Sequence, residues 1–172
     1  DFSGFVMSNI SRKGRERAEL GFIKPLIRRS FLETHAITYR EDMRLGEDFE
    51  LYARALGCGA RMVVFPAQGY VSVVRPTSLS GRHSEHDLLQ LRNCDNDLME
   101  DLPLSPKDKA ALRQHYLGVD CRLQWRYMIL AVKNRDIVGM MKIFFRPMPV
   151  PVYVLGKLWE QFEIRVLQRK TG

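Results

Sequence analysis

The chain has 172 residues, of which 45% are hydrophobic and 27% charged, and a formal net charge of +7. This globular profile suits one domain and excludes disordered and fibrous classes. Residues 1–121 carry 17 basic and 17 acidic side chains, so the whole excess lies in residues 122–172, where ten bases face three acids. A basic tail on a neutral body points to an anionic partner, either a membrane surface or nucleic acid. Cys58, Cys94 and Cys121 are odd in number and widely spaced, which excludes a disulfide framework or zinc ribbon and suits a reducing compartment. Apolar runs are cut by Lys133, Lys142 and Arg146, so none reaches the roughly 18 residues that span a bilayer. With Asp1 first and no signal peptide, the chain is expected to be a piece of a longer protein.

Residues 1–19 mix Gly, Ser and Asn with the charge-dense run Arg12 to Arg17 and read as a loop or flexible lead-in. Leu20, Ile23, Leu26, Ile27 and Phe31, interrupted by Gly21 and Pro25, suit a turn into a short helix with Arg28 and Arg29 near its end. Gly46 opens a second helix over Glu47 to Leu56, with acids in its first turn and Gly57 and Gly59 as terminators. Arg61 to Phe65 and Tyr70 to Arg75, rich in Val and aromatics and separated by Pro66-Ala67-Gln68-Gly69, predict two short strands.

Beyond Ser80 the pattern is helical. Ser84 with Asp87 three residues on resembles a capping box, and Leu88, Leu91, Leu98 and Leu102 share a face. Pro103 to Pro106 is a break, and Ser105-Pro106 starts a long helix to about Lys133, through Gly118. Val138 to Phe145 and Val152 to Lys170 follow as two apolar stretches with a basic fringe. In the last of these, Leu155, Leu158, Trp159, Phe162, Val166 and Leu167 form a helical stripe. No internal repeat is present.

The sharpest local feature is Gly46-Glu47-Asp48 at a helix start. Two acids there commonly only stabilise the helix dipole. The context is the run Leu20-Gly21-Phe22-Ile23-Lys24-Pro25-Leu26-Ile27-Arg28-Arg29-Ser30-Phe31-Leu32, then Gly46-Glu47-Asp48-Phe49-Glu50-Leu51-Tyr52. Gly59-Ala60-Arg61 and Tyr70-Val71-Ser72-Val73-Val74-Arg75-Pro76-Thr77-Ser78-Leu79-Ser80 come after it. In order and spacing, this set resembles the second half of family 2 glycosyltransferases, and among them the bacterial succinoglycan-type exopolysaccharide enzymes. It covers residues 18–82.

The resemblance implies an α/β chain, the C-terminal part of a GT-A fold with short strands at about 61–75, followed by a mainly helical C-terminal region. Residues 1–83 would be the acceptor side of the transferase domain and residues 84–172 a helical extension. Asp48 would be the general base that deprotonates the acceptor hydroxyl, a role that needs a positioned carboxylate, and Glu47 would orient the site. Arg28, Arg29, Arg75 and Ser78 would contact the diphosphate or the acceptor, and guanidinium groups suit both. His83 lies near a further metal-ligand position of some relatives, or is a surface histidine.

The donor half of the family, with its metal-holding Asp-x-Asp, should precede this region and is absent. The enzyme is expected to need a divalent metal, Mg or Mn, with ligands mostly outside this chain, which alone should not transfer sugar. Asp95-Asn96-Asp97 matches Asp-x-Asp only as a string. Side chains two apart on a helix diverge by about 200°, and the segment reads as a solvated face.

The implied partners are a nucleotide-diphospho-sugar donor and a saccharide or lipid-linked oligosaccharide acceptor. The basic tail, with Trp125, Tyr127, Phe144, Phe145, Tyr153, Trp159 and Phe162, suits an anionic membrane surface, with Lys142, Arg146 and Lys157 at headgroups. Equally, the aromatics suit a packed core. The expected location is cytoplasmic and peripheral on the inner face of the membrane. A non-catalytic partner-binding or membrane-docking helical domain of a polysaccharide assembly complex is the alternative. No recognition helix, zinc-finger spacing or RNA-binding aromatic motif supports nucleic acid.

Overall fold

Asp1 caps a helix at the very start of the chain, its side chain accepting from the Gly4 amide at 2.7 Å. In the computed structural model, which describes residues 1–11, 20, 23–66 and 83–170, this helix α1 spans Phe2–Ser8. Phe2, Phe5 and Val6 are buried, so the start of the expected loop is instead a core element. Their spacing of three and four puts them on one helical face. The charge-dense run at 12–17 lies outside the described residues.

Six further helices follow in chain order: α2 (Arg29–Thr34), α3 (Glu47–Gly57), α4 (Glu85–Asp101), α5 (Pro106–Lys133), α6 (Ile137–Phe144) and α7 (Val150–Lys170). The described residues are mostly helical, as expected of the C-terminal region, and contain no strand. Arg61 to Phe65 is irregular, with Val63, Val64 and Phe65 exposed. A strand exists only through pairing, and its expected partner, Tyr70 to Arg75, lies outside the described residues. Arg28 and Arg29 also depart from expectation. They stand at the start of α2, Arg28 as its N-cap with extended backbone.

The helix-start signals are realised in detail. Ser84 and Asp87 form the reciprocal capping box of α4. The Ser105 hydroxyl accepts from the Asp108 amide at 3.2 Å at the start of α5, which continues through Gly118.

Two compact units are present, Asp1–Tyr116 and Leu117–Gly172, the division falling inside α5. In the first, a column of rings joins three helices. Phe5 stacks on Phe49 with centroids 5.6 Å apart, and Phe49 stacks on His115 at 4.4 Å. His115 Nδ1 lies 2.9 Å from both carboxylate oxygens of Asp95, and Asp95 is fully buried at 0% exposure. The solvated-face reading therefore fails for Asp95. Asp97 does remain 46% exposed while accepting from Arg40 Nη1 at 2.5 Å. Arg40 also grips both oxygens of Asp42, tying the loop before α3 to α4.

In the second unit, Cys121, Met128, Ile143, Val150 and Val154 form the core, with Trp125, Tyr127, Met140, Phe144 and Tyr153 packed against it. Arg146 reaches the buried Asp120 carboxylate at 3.2 Å, so it ties the segment after α6 to α5. All three cysteines are free thiols.

Gly46 precedes α3 with φ of 77°, and a Cβ there would sit 2.6 Å from Leu91 Cδ1 of α4. Gly46→Ala is expected to lower stability by at least about 1–2 kcal/mol from the left-handed backbone alone, read by urea unfolding. His115→Phe keeps the ring column but removes one close partner of a buried carboxylate, and should cost about 1–3 kcal/mol in the same assay.

Candidate active site

Helix α3 alternates between core and site. Phe49, Glu50, Leu51 and Tyr52 are buried, which turns Asp48 toward the loops formed by residues 23–28 and 37–40. Its Oδ2 accepts from Lys24 Nζ at 2.8 Å and its Oδ1 from the Tyr39 hydroxyl at 2.7 Å. One turn on, the Tyr52 hydroxyl donates to the Ile23 carbonyl at 3.1 Å. The three polar groups Lys24, Tyr39 and Tyr52 line a shallow cavity of about 250 Å³, completed by Pro25, Ile27, Leu32, Ile37, Thr38 and Leu51.

Burial works to raise the Asp48 pKa, but the hydrogen bonds from Lys24 and Tyr39 outweigh it and hold the carboxyl below its ordinary value. Asp48 is therefore ionised at neutral pH. The same contact raises the Tyr39 phenol, and burial followed by the Asp48 charge pushes the Tyr52 phenol well above its ordinary range. Both tyrosines are kept as neutral hydroxyl groups. The Lys24 side chain is 59% exposed. With Asp48 19% exposed, the pair is open to water mainly on its lysine side, and such an ion pair contributes only about 0–1 kcal/mol.

Glu47 sits half-buried in the first turn of α3. Arg28 and Arg29 are exposed and do not line the cavity; Arg29 Nε donates to Glu33 at 2.8 Å. Arg75 and Ser78 lie outside the described residues. His83 lies half-buried just before the Ser84 cap of α4, and the hydrogen bond from the Ser84 amide holds the Asp87 carboxyl below its ordinary value. Among the described residues no group of three or more His, Cys, Asp and Glu side chains gathers to hold a metal. Asp95 and Asp97 are committed to His115 and Arg40.

The sequence reading missed Lys24, Tyr39 and Tyr52 as neighbours of Asp48. Tyr52 follows Asp48 by four positions on one helix, a spacing that puts side chains on a shared face. Lys24 and Tyr39 are separated from it by 24 and nine residues, and only the loop fold brings them in.

The chain is 45% identical over 139 residues to the succinoglycan biosynthesis protein ExoU of Rhizobium meliloti (strain 1021), a match covering 81% of this chain and 40% of that protein. It is 30% identical over 151 residues to the succinoglycan biosynthesis protein ExoO of the same organism, covering 80% of this chain and 39% of that one. The chain spans about two fifths of the length of these curated relatives. No protein-family model and no solved structure matches it. The chain is thus homologous to part of the bacterial succinoglycan biosynthesis proteins, the group that its ordered motifs resemble.

Proposed function

We propose that the chain is the acceptor-side, C-terminal portion of an inverting glycosyltransferase of exopolysaccharide biosynthesis. It would serve transfer from a nucleotide-diphospho-sugar to a saccharide acceptor, lipid-linked in this reading. The observation that supports it best is the Asp48 carboxylate, ionised and held by Lys24 and Tyr39, two residues that line a cavity which Asp48 itself does not line. The relatives' part in succinoglycan biosynthesis supplies the setting.

A sugar hydroxyl is a poor nucleophile and gains from a carboxylate aligned to accept its proton during attack. Asp48 takes that proton as the acceptor oxygen bonds to the anomeric carbon. On the opposite face the bond from that carbon to the phosphate oxygen breaks, and the nucleotide diphosphate leaves with the electron pair. Tyr39 holds the carboxylate orientation throughout, and Glu47 lines the approach. Arg28 and Arg29, with Arg75 and Ser78, are assigned to the diphosphate or acceptor. The described residues do not form a divalent-ion site. A Mg or Mn ion, if the longer enzyme uses one, is assigned to residues outside this chain.

The alternative is a non-catalytic partner-binding domain in which the Lys24–Asp48 pair is only a loop tie. In the longer protein, Asp48→Asn is expected to lower sugar transfer by about 10²–10⁴-fold while nucleotide-sugar binding, measured by calorimetry, persists. Near-normal turnover favours the non-catalytic reading. Tyr39→Phe removes one of the bonds that depress the Asp48 pKa. The carboxyl then protonates at higher pH, so the acidic limb of the transfer-rate profile should move upward.

A further inference from the structure

Helices α6 and α7 each carry two apolar faces, and only one of them is used inside the second unit. On α7, Val150 and Val154 are buried in the core. At 3.6 residues per turn, Val152, Leu155, Trp159 and Phe162 fall on the opposite side, and they are 55%, 56%, 61% and 57% exposed. On α6, Ile143 is buried, while Ile137, Val138 and Met141 point away from it with Phe145, which is 83% exposed. The aromatics read as possible core thus divide. Phe144 and Tyr153 pack inward, whereas Phe145, Trp159 and Phe162 face out.

We propose that this outward face of α6 and α7 is a docking surface for an anionic lipid bilayer, on which the helices lie flat. Three observations select that occupant. Lys133, Arg135 and Lys142 are exposed around α6, whereas on α7 Lys157 is paired with Glu160 and Glu163 accepts from Trp159, so the positive charge of the face gathers at α6. A second copy would bring the same positive charge to the same face, which disfavours self-docking, whereas anionic headgroups complement it. Among the described residues no helix is long and apolar enough to cross a membrane, and an apolar face flanked by cations is the pattern of a helix lying in the interface. The exposed Trp159, with Nε1 donating to Glu163 at 2.8 Å, has the apolar body and polar edge that suit this depth. This surface is independent of the glycosyl-transfer reading, since no residue of the Asp48 site takes part.

The test is flotation of the full chain with phosphatidylcholine vesicles, with and without phosphatidylglycerol. Binding is expected to require the anionic lipid and to fall with salt. The Trp159 fluorescence should shift to the blue on binding, and Trp159→Phe should lose that shift. Replacing Lys133, Arg135 and Lys142 together by Gln should weaken binding by about a hundredfold, at roughly fivefold per cation. The pair Leu155→Ser and Phe162→Ser should weaken it at least about tenfold, with the helical circular dichroism of the chain unchanged. Binding that ignores both sets of substitutions overturns the proposal. So does a chain that dimerises through this face without binding vesicles, or vesicle binding that vanishes in the longer protein because another segment covers the face.

Discussion

The buried contact between Asp95 and His115 governs the first unit. A carboxylate removed entirely from water is tolerated only with a close polar partner, and His115 supplies one from α5 at 2.9 Å. The imidazole is in turn fixed by stacking on Phe49, and Phe49 by Phe5. Three helices and the α4 carboxylate are thereby held in one register. Breaking such a contact on one side costs far more than replacing it whole, so it acts as a geometric constraint even if its net stabilisation is small. The neighbouring Glu50 is 1% exposed and bound to Arg54, with its Oε2 without a hydrogen-bond partner among the described residues. Polar groups inside this core therefore fix position more than they add stability.

That constraint sets the orientation of α3. With Phe49 and Glu50 drawn inward, the preceding residue must project to the other side, and it is Asp48. Arg40, clamped between Asp42 and Asp97, fixes the loop that carries Tyr39. The hydroxyl on Asp48 thus comes from a segment anchored to α4, while the ammonium comes from a wet lysine. One bond to the carboxylate is rigid and the other is exchangeable.

Much of the local architecture was legible from the sequence because it is written in neighbouring residues. The capping box of α4, the Ser105-Pro106 start of α5 and the Gly46 start of α3 depend on contacts within four positions. What escaped depends on distance in the chain. The helix α1 is seven residues long, too short for periodicity to stand out beside Gly4 and Ser3. Asp95 looked solvated because nothing near it in sequence announces His115, which is 20 residues away. Asp48 itself was picked out by its motif, yet Lys24 and Tyr39 joined it only through loop folding. The stripe on α7 was visible in the sequence, but not the direction it faces.

The cavity beside Asp48 has two kinds of wall, and they differ in their freedom to change over evolution. Leu51 and Tyr52 belong to α3 and are buried in the first unit, so altering them disturbs the packing that aims the carboxylate. Lys24, Pro25, Ile27 and Thr38 come from irregular chain, where substitutions are tolerated more readily. Change in the shape of this cavity would therefore run through the loop wall, leaving the helix to preserve the packing that orients Asp48. One scaffold could in this way acquire new selectivity without rebuilding its interior.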